Sequence, residues 1–202
     1  MYIVKTPAFV QRLFPDYTWQ IPTAERVLYL TFDDGPIPVV TPWVLDTLRP
    51  FDAKATFFCV GENVQRHPDI FQQIIKEGHT VGNHTLQHLN GWETETDTYL
   101  QNVQLCANLV PGNLFRPPYG RLRTTQATAL KKNYQIVLWD VLSGDFDRGI
   151  SPQKCFNNIR RHARPGSIVV LHDSLKAERH LRYALPALLD FYAAKGWRFG
   201  CV

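Results

Sequence analysis

The stretch VLYLTFDDGP, residues 27–36, is an apolar run that stops at two adjacent carboxylates, a glycine and a proline. Asp33 and Asp34 repel one another, and placement at the end of a buried strand costs both of them hydration. Something there wants negative charge. Side chains of a regular strand alternate faces, so the two carboxylates reach one site only if the chain turns, and Gly35-Pro36 is expected to supply the turn. A plain Asp-Gly turn or a helix cap is the competing reading of these residues taken alone.

Outward from this run, further apolar segments compatible with strands fall near 54–60, 79–82, 114–116, 134–140, 167–172 and 197–201. Helical patterns fill the gaps. "TPW" at 41 and "SPQ" at 151 offer a hydroxyl N-cap followed by proline. In "HPDIFQQIIKEG", Pro68 opens a helix, Ile70, Phe71, Ile74 and Ile75 form its apolar stripe and Gly78 ends it. About seven strands alternating with helices predict an α/β fold with a parallel sheet, open or closed as a barrel.

The chain has 202 residues, 45% of them hydrophobic, enough for one sizeable domain over 1–202. Its 22 basic and 18 acidic residues are scattered, with only short basic clusters at 121–123 and 160–164, which argues against a nucleic-acid partner. Cys59, Cys106, Cys155 and Cys201 are far apart and form no CxxC pair, so buried free thiols are expected. The chain as given shows no basic leader with an apolar core and no apolar span long enough for a bilayer. That points to the cytoplasm; a leader removed beforehand would place the protein outside it. Oligomeric state leaves no trace in the sequence.

Chemistry-bearing residues recur beyond the paired aspartates. "NHTLQHLN" carries His84 and His88 at i and i+4, one face of a helix, close enough to share a metal ion. With one aspartate they make three ligands that leave coordination positions open for water and substrate, while the other aspartate stays free as a base. "LFRPPYG" places Arg116 after a short strand, where it can pair with a carboxylate. "VLWDVLSGDFDRG" brings Asp140, Asp145 and Asp147 into one loop, and "SIVVLHDS" ends a strand at His172, a natural general acid. Each motif alone also fits a structural role.

Together the five segments, TFDDG (31–35), HTLQH (84–88), RPPYG (116–120), WDVLSGDF (139–146) and LHD (171–173), resemble the polysaccharide deacetylases of carbohydrate esterase family 4, the NodB homology domain. They stand in the family's order within residues 31–173. The resemblance implies a distorted (β/α) barrel with fewer strands than the usual eight. It implies Asp33 as catalytic base positioned by Arg116, and Asp34, His84 and His88 as ligands of one divalent ion, Zn²⁺ first, with Co²⁺ or Ni²⁺ as alternatives. It also implies His172 as general acid tuned by Asp145, the Tyr119 amide as an oxyanion donor, and Leu171 lining the acetyl pocket. Phe146 stands where the family usually has tryptophan, which keeps an apolar wall and loses an N–H donor. The implied partner is an N-acetylated glycan. A deformylase or amidase with the same site, and a non-catalytic glycan-binding barrel, are the competing readings. Trp92 is a residue that could stack on a sugar.

Overall fold

The structure is a computed structural model and describes residues 2–202. Eight strands form one parallel sheet: β1 (Val27–Asp33), β2 (Thr56–Cys59), β3 (Thr80–Asn83), β4 (Leu114–Phe115), β5 (Gln135–Ile136), β6 (Val141–Leu142), β7 (Ile168–His172) and β8 (Arg198–Gly200). Seven follow the order β5-β4-β3-β2-β1-β7-β6, and β8 pairs with the first half of β1. The run expected at 134–140 is two strands, β5 and β6, at opposite ends of that order. Only a few residues join them, so the sheet must curl until its ends approach, as in a distorted (β/α) barrel. Eight helices connect and cover the strands: α1 (Ala8–Leu13), α2 (Val40–Leu48), α3 (Gly61–Arg66), α4 (Pro68–Lys76), α5 (Thr96–Ala107), α6 (Thr124–Leu130), α7 (Pro152–His162) and α8 (Glu178–Ala193).

The N-terminal segment stitches the barrel seam. Lys5 bridges to Val141, Thr18 to Val137 and Gln20 to Ser167. The buried Asp140 carboxylate fixes this stitch, accepting from Lys5 Nζ and from Ser167 Oγ at 2.5 Å each. This gives Asp140 a structural partner set, away from the acid-base groups.

Alternation along the strands sorts the interior into two layers. Leu28, Leu30 and Phe32 of β1, Phe57 and Cys59 of β2, and Val169 and Leu171 of β7 pack outward against the helices in the main core. Tyr29, Phe58 and Ile168 point the other way, into the barrel. Asp33 shares the parity of Tyr29, and His172 that of Ile168, so the period of two aims both inward.

Two of three local expectations are corrected. Thr41 lies inside α2, whose N-cap is Val39, and its hydroxyl instead donates to Asp173. Ser151 does cap α7, accepting from the Lys154 amide at 3.1 Å. In α4, Ile70, Phe71 and Ile74 are buried but Ile75 is 38% exposed, because the helix touches the sheet along a narrower stripe. All four cysteines are free thiols, and three are buried. Among the described residues no helix is long and apolar enough to cross a membrane.

Candidate active site

Register brings the polar residues to one edge. Asp33 is level with His172 on one side and with Phe58 on the other, Cys59 with Asn83, and Asn83 with Phe115. The residues that leave the tips of β3 and β4, His84 and Arg116, therefore arrive beside Asp33. This is the carboxyl end of a parallel sheet, where α/β folds assemble their chemistry.

The turn after β1 begins at Asp34 itself, with φ of 85°, rather than at Gly35-Pro36 as the sequence suggests. That left-handed conformation swings Asp34 away from the outward path a continuing strand would give it. Gly35 has another duty. Its amide donates to Asp173 Oδ1 at 3.1 Å, and a Cβ there would stand 2.0 Å from Asp173 Oδ2. Asp173 is wholly buried beneath the turn and also accepts from Thr41 Oγ1 at 2.5 Å. Burial pushes its carboxyl up to about 8. Asp173 stands in LHD directly after the candidate acid histidine, where its neighbours in sequence give no sign of this role.

His84 and His88 converge, but not on a helix. They lie in an irregular loop after β3, with Thr85 and His88 at φ of 65° and 55°. Asn83 Oδ1 accepts from the Thr85 amide, and Asn102 Oδ1 from the amides of Leu86 and Gln87, so two asparagine side chains replace the helical ladder. His88 Nε2 lies 3.2 Å and His84 Nε2 3.8 Å from Asp34 Oδ1. Buried His84 donates from Nδ1–H to the Arg116 carbonyl at 2.7 Å, which fixes the tautomer and leaves Nε2 with a free lone pair. Burial above all pulls His84 down to about 4, so it is neutral, as a metal ligand must be. Burial also disfavours the Asp34 carboxylate, yet the hydrogen bond from His88 and the neighbouring imidazoles outweigh it and hold the carboxyl well below the usual range. The three ligand atoms lie within 4.8 Å of one another. Their spacing to Asp34 suits ligands ~2.0–2.2 Å from a shared ion, and the donor set suits zinc and its neighbours.

Arg116 is a second, dry construction. Fully buried, it donates to Asp33 Oδ1 at 2.7 Å, Thr31 Oγ1 at 2.6 Å, Val137 O at 3.1 Å and Leu138 O at 2.9 Å, and stacks over the Phe58 ring at 4.1 Å. Burial lowers the guanidinium from its ordinary value while Asp33 opposes that. The carboxylate of Asp33 is thereby aimed.

His172 is clamped by one carboxylate. Its Nδ1–H donates to Asp145 Oδ1 and its backbone amide to Asp145 Oδ2, both at 2.7 Å. Burial disfavours its charged form, but Asp145 and the other aspartates outweigh this and push the imidazole up to about 10. Phe146 packs edge-on to the His172 ring at 5.4 Å, and Tyr2 edge-on to Phe146 at 5.1 Å.

A cleft of about 760 Å³ gathers Asp33, Asp34, His84, His88, Tyr119, Phe146 and His172. Leu171 does not reach it. Its side chain is wholly buried in the helix-facing core, and the β7 residues on the cleft are Val170 and His172. Strand alternation is the reason, since only residues two apart share a face. Tyr119 sits at φ of 60° against the His88 ring, and its amide stays out of the turn's hydrogen bonds, which run from Gly120 N to Pro117 O and from Arg121 N to Pro118 O. Trp92 is 58% exposed on the cleft rim, its indole N–H donating to Leu122 O and its ring covered by Arg121 at 4.9 Å.

A curled parallel barrel with two aspartates and three histidines at its strand tips narrows the class sharply. The polysaccharide deacetylase family model matches residues 20–137, and the chain belongs to that family. It is 37% identical over 190 residues to a peptidoglycan-N-acetylglucosamine deacetylase of Bacillus cereus, covering 90% of this chain and 89% of that protein. It is 34% identical over 186 residues to a chitooligosaccharide deacetylase of Azorhizobium caulinodans, covering 80% and 87%. The crystal structure of a peptidoglycan N-acetylglucosamine deacetylase in complex with 4-naphthalen-1-yl-N-oxidanyl-benzamide superposes with a TM-score of 0.87 at 32% identity, covering 98% of this chain and 95% of that one.

Proposed function

We propose that this chain, acting as one domain, is a divalent-metal-dependent hydrolase that removes N-acetyl groups from amino sugars in a glycan. What carries the reading is that three independently built parts open onto one cleft: the Asp34-His84-His88 trio, the Asp33-Arg116 pair and the Asp145-His172 pair. The named deacetylase relatives support the same substrate class.

Asp34, His84 and His88 would hold the ion, with Zn²⁺ as first candidate and Co²⁺ or Ni²⁺ as alternatives. A divalent ion bound there supplies Lewis acidity, which makes water a better acid and polarises a carbonyl. Asp33, aimed by Arg116, takes the proton of the attacking water. The Tyr119 N–H donates to the carbonyl oxygen as negative charge builds on it. His172, charged through its bond to Asp145, gives a proton to the departing amine nitrogen, and the fixed Nδ1–H leaves Nε2 as the atom that delivers it. Val170 and Phe146 bound the apolar side of the cleft, where a methyl group loses water at little cost.

The test is acetate release from acetylated chito-oligomers, peptidoglycan fragments and small amides, with chelator and with added Zn²⁺ or Co²⁺. Release from a glycan that stops with chelator and returns with metal is the expected result. No release from any glycan under either condition would overturn it.

A further inference from the structure

We propose that the cleft continues across Trp19 into a second glycan-binding site, which grips sugar units beyond the one at the Asp34-His84-His88 trio. The proposal rests on the glycan-hydrolase reading above and extends it from the reacting sugar to the length of the chain bound.

A cavity of about 700 Å³ lies on the outer side of the N-terminal segment, lined by Gln11, Arg12, Tyr17, Trp19, Gln20 and Gln135 among others. Helix α1 stands between it and the cleft: Pro7 and Val10 line the cleft, while Ala8, Gln11 and Arg12 line the outer cavity. Trp19 borders both. Trp19 is thus the wall the two share, and the proposed chain runs along the indole from one to the other.

The lining has the composition that sugars need. A pyranose offers flat C–H faces and a rim of hydroxyls, and is matched by rigid aromatic rings flanked by planar polar groups. Tyr17, in the lining, lies 6.2 Å from Trp19, and Phe14, outside the lining, stacks on Tyr17 at 5.6 Å with the planes 9° apart. The indole is held in place because its N–H donates to Phe14 O at 3.0 Å. Gln135 donates its amide N–H to Thr18 Oγ1 at 3.0 Å, which leaves its carbonyl free to accept. Arg12 and Gln20 complete the rim, and among the described residues neither side chain is taken up by a hydrogen bond or ion pair. Among the described residues no carboxylate lines this cavity, so neutral and acidic glycans alike meet no repulsion there. The aromatic surface stands on the same segment that seals the barrel seam through Lys5 and Asp140, so it is fixed relative to the catalytic groups.

The experiment compares the N-acetylglucosamine dimer and hexamer. Calorimetry on zinc-loaded protein carrying His172→Ala, which slows turnover, is expected to show the hexamer binding about tenfold more tightly than the dimer, a difference of ~1.4 kcal/mol. Adding Arg12→Ala or Gln20→Ala, both lining the cavity at exposed positions, should erase that advantage and leave the affinity for the dimer unchanged. In otherwise unaltered enzyme the same substitutions should raise KM for the hexamer and not for the dimer. Equal affinities for dimer and hexamer, or a hexamer advantage that survives both substitutions, would overturn the second site. If no oligomer releases acetate while the length-dependent binding and its loss stand, the hydrolase reading fails and this site survives.

Discussion

His84 and His172 line one cleft, are both largely buried, and end in opposite protonation states. His84 donates Nδ1–H to the Arg116 carbonyl, a neutral acceptor, and burial pulls it down to about 4. His172 donates the same atom to the Asp145 carboxylate at an equal 2.7 Å, and despite burial is pushed up to about 10. The acceptor on the far side of the ring decides what the near nitrogen offers the cleft. A carbonyl leaves a lone pair, suited to holding a cation, and a carboxylate leaves a proton, suited to leaving with an amine. Two regions of one barrel edge are thus tuned for opposite tasks by their hydrogen-bond partners.

That contrast can be broken in graded steps. The largest effect is expected from His84→Ala or Asp34→Ala: bound metal disappears and activity falls to background, checked by elemental analysis after gel filtration, and full metal retention would show that the trio is not the ligand set. His172→Ala should come next, lowering turnover ~10²–10⁴-fold with metal content unchanged. Loss of metal in that variant would erase the distinction between the two regions.

Asp145→Asn sharpens the comparison, because it gives His172 a neutral partner like that of His84. The raised value means that protonated His172 contributes stability in full below its unfolded value of ~6.5, and the contribution is lost as pH rises through about 10. The variant should lose that contribution. Its alkaline limb of the pH–rate profile should shift to lower pH, with turnover at neutral pH down by roughly tenfold or more. An unshifted alkaline limb would mean Asp145 does not set the charge of His172. The smallest effect belongs to Ser151→Ala, a control outside both regions. Loss of the cap on α7 should cost ~0.5–2 kcal/mol in urea unfolding and leave the catalytic rate alone.

Much of this was legible in the chain. The apolar runs marked β1, β2, β3, β4 and β7 because those strands are buried on both faces, and the polar residues that end them read as a site because strand tips are where a parallel sheet opens. His84 and His88 were legible as a pair, but not as part of a loop. An i, i+4 spacing is helical by default, and only the amide acceptors on Asn83 and Asn102, the latter distant in sequence, overrule it. Leu171 was misplaced by one residue, since adjacency to His172 in sequence means the opposite face in a strand. Asp173, and the Lys5-Asp140 latch, were invisible as braces because their partners are 138, 132 and 135 residues away.

The sequence by itself determined the cast: strands long enough to bury, and carboxylate, imidazole and guanidinium groups placed just where each strand runs out. Those features are local, set by hydropathy and period. Only the tertiary structure decided which imidazole would be neutral and which charged, that His84 and His88 would meet on a loop rather than a helix, and that the N-terminal segment would close the seam beside the cleft. Proton affinity and orientation depend on what lies across a few ångströms of space, and register, burial and backbone sign bring those neighbours together from opposite ends of the chain.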